Sequence, residues 1–363
     1  MARNIRKPGT SDLTESLESA LRACLSEDWA LHRVQVGPAT APDMIIRLQA
    51  PDGTATTLVI EAKKTIEPRD VPACARQLDH LRRASGAEAG MAVSPYISPL
   101  ARKRLAEAGI GWYDATGNLG LRLARPAVFI ERTGQSRSPF TEPDDRRLRS
   151  LKGPAAARVV RSLLDGTAPI GVRELATSAN VGPATSARVV DLLDRDDLII
   201  RGDRNSVAAV RKRSLARRWT DDYGLTSSNE IVSVVDPRGI GRTLTALQDR
   251  DMGYALTASA AVRPYLPPGV LPVAPLANLV MFTQDPSFLA QDLGLHRTTR
   301  GANVVLIRPF DPVVFTRAQR WEGLTYAAPS QVVADLLTGP GRSDQEAEQL
   351  MAALAVDDPG WER

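Results

Sequence analysis

Asp43 stands immediately before an apolar run, Met44 to Leu48, and Glu61 and Lys63 stand at the end of the next, which begins near Thr56. Two carboxylates at one spot can hold a hard divalent cation such as Mg2+, with water in the remaining octahedral positions. A lysine two residues on can polarise the attacking water or balance charge developing on a scissile phosphate. The chemistry of such a set is metal-assisted phosphodiester hydrolysis, with Asp43, Glu61 and Lys63 as catalytic residues and Asp43 and Glu61 as the metal ligands. The same residues also have a plain structural use, in which Glu61 and Lys63 form an exposed ion pair on a half-buried strand and Asp43 starts a turn.

The elements that would position this set are legible around it. Pro51-Asp52-Gly53-Thr54 suits a tight turn between antiparallel strands. A hairpin symmetric about residues 52 and 53 pairs positions that sum to about 105, which sets Asp43 opposite residue 62. Alternation then gives Val59, Glu61 and Lys63 one face and Leu58, Ile60 and Ala62 the other, packed against helices. Upstream, Leu13, Leu17, Leu21 and Leu25 recur at i, i+4 and predict an amphipathic helix over 11–25, with Ser11 or Asp12 able to cap it.

Pro42-Asp43 followed by Glu61-Ala62-Lys63 on the next strand resembles the PD-(D/E)XK, or restriction-endonuclease-like, superfamily. The resemblance implies that the first acid and the Glu bind metal, that the Lys assists catalysis, and that Mg2+ is the cofactor if the site is active. It also implies an extra acid from Glu15 or Glu18 on the first helix, and a role for Gln77 in the following helical stretch. Further on, Asp114, Gly117 and Asn118 read as turn residues. With Gly109, Gly111 and Tyr113 they resemble a segment of the AbiEi type IV antitoxin and transcriptional-regulator family, and Asn303, Asp311, Gln331, Asp335 and Glu348 extend that likeness, which runs from about 85 to 352. The nuclease-like unit in front departs from the better-known antitoxins.

Between these segments the chain reads as a winged helix. Residues 155–164 fit one helix, Val172, Leu175 and Ala176 a second, Asn180-Val181-Gly182 a tight turn, and 183–195 a third helix with Val189, Leu192 and Leu193 inward. Two strands about Asp203-Arg204-Asn205 then form the wing. A helix of this kind enters the major groove while flanking basic groups hold phosphate. The expected DNA contacts are Arg173, Thr185, Arg188, Arg201, Arg204, Arg211, Lys212 and Arg213, with Arg217 and Arg218 continuing the basic run.

The 363 residues contain 40 Arg against 6 Lys, and the net charge is only +4, so clustering matters more than composition. Two isolated cysteines, Cys24 and Cys74, and three scattered histidines argue against a disulfide framework, a zinc site or soft-metal catalysis. No apolar run approaches the roughly 20 residues that span a bilayer, and the N-terminus lacks a secretory h-region, so a cytoplasmic protein is expected. The expected class is α/β (α+β): a restriction-endonuclease-like domain over 1–134, a linker over 135–153, a winged helix over 154–220 and an AbiEi-like C-terminal α/β domain over 230–363. The expected function is a transcriptional regulator that binds double-stranded DNA. The alternatives are a divalent-metal-dependent DNA endonuclease and an antitoxin that binds a cognate toxin; a homodimer is compatible with each.

Overall fold

The computed structural model describes residues 7–34, 42–140, 147–248 and 253–362. They divide into two compact units: the described residues before 147 together with Arg195–Asp197, and Arg147–Asp194 together with the residues from Leu198 on. Each combines helices with a mixed sheet, so the chain is of the α/β (α+β) class. Residues 141–146 of the expected linker lie outside the described residues. No helix among the described residues is long and apolar enough to cross a membrane.

The first unit runs α1 (Thr10–Cys24), β1 (Ala30–Val34), β2 (Met44–Gln49), β3 (Ala55–Ala62), α2 (Val71–Ser85), β4 (Ala89–Ser94), α3 (Pro99–Glu107), β5 (Gly111–Asp114), β6 (Leu119–Leu123) and β7 (Val128–Arg132). Its seven strands lie in chain order across one sheet. The pairs β1–β2 and β2–β3 are antiparallel, β3–β4 and β4–β5 are parallel, and β5–β6 and β6–β7 are antiparallel. Both parallel steps are made by a crossover helix, as parallel neighbours require.

Helix α1 covers one face: Leu13, Leu17 and Leu21 are buried against Ile46, Leu58, Ile60 and Val93. Each such side chain contributes about 1.5–3 kcal/mol on burial. On the other face Cys74 and Leu78 of α2 and Ala101 and Leu105 of α3 pack with Val59 and Ala92. The sheet is therefore covered on both sides, where the alternation had suggested helices on the Leu58–Ile60 face. The start of α1 also differs from expectation: Gly9 is the cap position, and Asp12 reaches back to accept its N–H at 2.9 Å.

The second unit opens with α4 (Pro154–Asp165), β8 (Ile170–Gly171), α5 (Val172–Ser178), α6 (Pro183–Arg195), β9 (Ile199–Gly202), β10 (Ser206–Val210) and α7 (Lys212–Thr220). The three strands form a sheet in the order β8-β10-β9, the arrangement of a winged helix with an additional helix behind it. A seven-stranded mixed sheet follows, built from β11 (Glu230–Val235), β12 (Tyr254–Thr257), β13 (Leu279–Thr283), β14 (His296–Arg297), β15 (Val304–Arg308), β16 (Gln319–Trp321) and β17 (Leu324–Tyr326), in the order β14-β11-β15-β13-β12-β17-β16. Helices α8 (Ile240–Leu247), α9 (Pro286–Asp292), α10 (Pro329–Leu337) and α11 (Ser343–Asp357) complete the unit.

Winged-helix and C-terminal elements share one core, which includes Val160 and Leu164 of α4, Leu215 and Trp219 of α7 and Val332 and Leu336 of α10. A polar network runs through it. The Arg161 guanidinium, 1% exposed, donates to Asp165, Gln331 Oε1 and the carbonyls of Val313 and Thr316. The tail of the expected linker is docked here too: Ser150 Oγ and the Leu151 N–H both donate to Asp222. Burial alone would raise the Asp222 carboxyl, but the Leu151 N–H, Arg218 and Ser150 hold it below its ordinary value.

Candidate functional site

Strands β2 and β3 pair Met44 with Ile60 and Gln49 with Ala55, so opposing positions sum to 104. The turn is a five-residue loop centred on Asp52, closed by the Ala50 N–H donating to the Thr54 carbonyl at 2.8 Å, with Gly53 at φ +85°. One further step along this register brings Asp43 against Glu61 and not residue 62, which corrects the expected pairing by one residue. Asp43 Oδ2 accepts the N–H of Ala62 at 2.7 Å, which pins the aspartate to the end of β3.

Glu61 points to the α2 face. Its Oε1 accepts Lys63 Nζ at 3.1 Å and Gln77 Nε2 at 2.7 Å, while Lys63 Nζ also donates to Gln77 Oε1 at 2.6 Å. The three side chains form a closed ring of hydrogen bonds. The Glu61 side chain is 12% exposed and that of Lys63 31%, so the ammonium is half-buried beside the strand ends. The Lys63 N–H donates to the Val93 carbonyl at 2.8 Å, which carries the β3–β4 pairing up to the site. Gln77 therefore belongs to the constellation.

The extra acid does not come from Glu18. Its carboxylate is taken by Arg22 and Arg33, whose hydrogen bonds, Arg33's above all, hold it below its ordinary pKa. Glu15 is exposed on α1.

Two oxygens in the cluster, Oδ1 of Asp43 and Oε2 of Glu61, accept no hydrogen bond among the described residues. That fits a Mg2+-type ion, which keeps several waters and takes one or two carboxylates. A metal cage made by protein alone is not present among the described residues, where no group of three or more His, Cys, Asp or Glu could hold an ion. Asp114 and Asn118, both fully buried, form a separate structural turn. Asp114 accepts the Ile97 N–H and Asn118 Nδ2 on one oxygen and the Thr116 N–H and hydroxyl on the other.

The winged helix divides the expected DNA contacts. Arg173 on α5, Arg188 on α6 and Arg204 at the wing tip are exposed, and Thr185 and Arg211 are half-buried. Arg204 adopts φ +52° and Asn205 φ +60°, which turns the wing. Arg201 is paired with Asp191 on α6 and lies 4.0 Å from Asp194, so part of its charge is cancelled.

The run after the wing departs from expectation. Lys212 is 6% exposed and donates to the Gly166 carbonyl at 2.7 Å and to Asp358 at 2.6 Å. Arg213 donates to the Trp361 carbonyl and pairs with Glu348, which Arg217 also engages; Arg218 pairs with Asp222. Lys212 and Arg213 thus join α7 to the C-terminal segment, because the acids of that segment fold onto this helix.

No family model and no curated protein matches the chain. Among solved structures, the crystal structure of a repair endonuclease from Pyrococcus abyssi is similar over 30% of this chain and 48% of that one, at 16% sequence identity and a TM-score of 0.22. The chain thus covers about half the length of that protein. Similarity at that level leaves function to be argued from the residues themselves.

Proposed function

We propose that the first unit is a divalent-metal-dependent phosphodiesterase of the PD-(D/E)XK type, acting on duplex DNA that the winged helix helps to hold. The observation that carries this reading is the convergence of Asp43, Glu61, Lys63 and Gln77 at one end of the β2–β3 hairpin, with two carboxylate oxygens left without hydrogen bonds. Asp43 and Glu61 would hold the cation, which when bound would polarise a phosphoryl oxygen and lower the pKa of a water. Lys63 supplies a half-buried positive charge, worth more there than in bulk water, to oppose charge developing on the phosphate. Gln77 fixes the direction of both Glu61 and Lys63 through its two hydrogen bonds.

Incubation of the full chain with supercoiled plasmid and Mg2+ or Mn2+, beside Lys63→Ala, tests this. The wild type nicks the plasmid and the variant does not. Equal nicking by both would remove the proposed site.

A second reading is favoured by a different observation, the complete winged helix with exposed Arg173, Arg188 and Arg204. In it the protein is a DNA-binding regulator, AbiEi-like by the resemblance over 85–352, and the strand-end cluster only shapes the fold. Duplex binding without cleavage by the wild type selects this reading. An antitoxin role further requires a toxin that co-purifies with the chain, and its absence from such a preparation would count against that role.

A further inference from the structure

At the other end of the same sheet lies a cleft of about 850 Å3 that the phosphodiesterase reading does not use. Thr56 at the start of β3 and Ala89–Gly90 at the start of β4 mark its position. Glu61 is five residues further along β3 than Thr56, roughly 17 Å at about 3.4 Å per residue, while Arg76 and Leu78 of the cleft flank Gln77 on α2. None of Asp43, Glu61, Lys63 and Gln77 lines the cleft.

Small residues contribute much of its lining. Ala75 on α2, Ala89 on β4 and Ala108 and Gly109 after α3 are small, and a side chain at Gly109 would meet open space, whereas one at Gly90 would meet Leu78 and Val59. Leu78, Ile110 and Leu123 add apolar side chains to the lining. Four guanidinium groups stand around it: Arg76 and Arg82 on the α2 wall, Arg122 and Arg125 on the β6–β7 wall.

The two acids in the lining are already engaged. Asp79 is paired with Arg82 at 2.8 Å and Arg83 at 2.6 Å, and the Arg82 hydrogen bond, ahead of the other contributions, holds its carboxyl below the ordinary value. Glu88 Oε2 accepts the Thr57 N–H at 2.6 Å. Arg122 lies over the Phe129 ring at 4.8 Å and 3.7 Å from Glu131. Arg76 and Arg125, both in the lining, have no ion-pair partner among the described residues, and both are exposed. The result is a cleft of small-molecule size, partly lined by Ala75, Leu78 and Ile110, with two guanidiniums that have no ion-pair partner among the described residues and that prefer the forked geometry of a phosphate or carboxylate.

We propose that this cleft binds a phosphorylated small molecule with a flat apolar body, of the size of a mononucleotide. The body rests against Ala75, Leu78, Ala108 and Ile110, and Arg76 and Arg125 supply the charge that takes the phosphate. The cleft's volume, which falls in the ordinary range for small-ligand sites of about 300–1,000 Å3, favours a free ligand over the backbone of a duplex.

Calorimetric titration of the full chain in EDTA, which keeps divalent metal from the strand-end carboxylates, tests the proposal with three probes: deoxyadenosine 5′-monophosphate, inorganic phosphate and a 12-base-pair duplex. The mononucleotide binds one to one, and phosphate competes with it more weakly. Arg76→Ala combined with Arg125→Ala weakens mononucleotide binding at least tenfold. Ala108→Trp, an exposed position at which added bulk occupies the cleft without changing charge, does the same, while Glu61→Gln leaves it unchanged. Absence of mononucleotide binding, binding indifferent to the arginine pair, or binding of duplex alone through that pair would each overturn the assignment. None of these outcomes bears on cleavage at the strand ends, so the two proposals fail separately.

Discussion

Asp335 on α10 is a carboxylate that the fold encloses completely, and its removal has a calculable signature. Its two oxygens accept the Tyr223 hydroxyl at 2.6 Å, Gln331 Nε2 at 2.8 Å and the Thr257 hydroxyl at 2.5 Å. Burial pushes its carboxyl up to about 6, against the opposing pull of these donors. In the unfolded chain an aspartate titrates near 3.9. A folded value above the unfolded one means that the native state binds the proton more tightly. The stability contributed is therefore fully present below about pH 3.9 and lost as pH rises through about 6. Two pKa units at 1.36 kcal/mol each give about 3 kcal/mol, most of which falls between pH 4 and pH 7.

Asp335→Asn removes that titration while keeping an acceptor oxygen for the hydroxyls, which can rotate to suit the amide. Urea unfolding of both proteins at pH 4, 5, 6 and 7, followed by tryptophan fluorescence, reads the difference. Trp219, buried and stacked on Tyr223 at 4.7 Å, reports on this core. The stability of the wild type relative to Asp335→Asn falls by about 2 kcal/mol from pH 4 to pH 7. Carboxylates with lowered pKa, such as Asp222 and Asp236, have the opposite pH dependence but are common to both proteins and cancel. Two parallel curves would refute the reasoning, since they would mean that Asp335 has the same proton affinity folded and unfolded.

Three further outcomes follow from the same contacts. Asp114→Ala leaves at least two buried donors unsatisfied and destabilises the first unit by about 3 kcal/mol or more, at roughly 1–3 kcal/mol per lost partner, measured by urea midpoint. Replacing Arg173, Arg188 and Arg204 together with Ala flattens the salt dependence of duplex affinity by up to about 2.7 in log–log slope, at about 0.9 per phosphate contact; an unchanged slope would remove the winged helix as the contact surface. Arg213→Ala with Arg217→Ala leaves that slope unaltered and lowers the unfolding midpoint, because both side chains are engaged by Glu348.

The parts of this structure that sequence showed well are those set by local chemistry. Leu13, Leu17 and Leu21 at one-turn spacing made a helix, Pro51 to Thr54 made a turn, and Asn180 to Gly182 separated two helices of a winged helix. The strand-end cluster was legible because Asp43, Glu61 and Lys63 are brought together by a hairpin, whose geometry the chain states locally. Even so the register was off by one, since the turn's centre depends on the Ala50–Thr54 closure and on Gly53 adopting positive φ.

What sequence hid depends on distant partners. Lys212 and Arg213 read as a DNA-gripping run because their acids, Asp358 and Glu348, stand far along the chain. Asp335 was invisible as a buried charge because the hydroxyls that hold it come from Tyr223 and Thr257, on two other elements. The Arg76–Arg125 cleft was hidden likewise, because its lining comes from α2, β4, β6 and the turn after α3, which are separated along the chain.

The proposed metal-dependent hydrolytic centre is the strand-end cluster of Asp43, Glu61, Lys63 and Gln77. The measurement that tests it most directly is single-turnover cleavage of an end-labelled duplex by the full chain as Mg2+ or Mn2+ is varied, for the wild type, Asp43→Asn and Glu61→Gln. The wild-type rate rises with metal to a plateau, and each substitution lowers it by about 100-fold or more, the scale of losing one group that stabilises transition-state charge. Cleavage that ignores the metal, cleavage that survives both substitutions, or a wild type that leaves the duplex intact at saturating metal would contradict it.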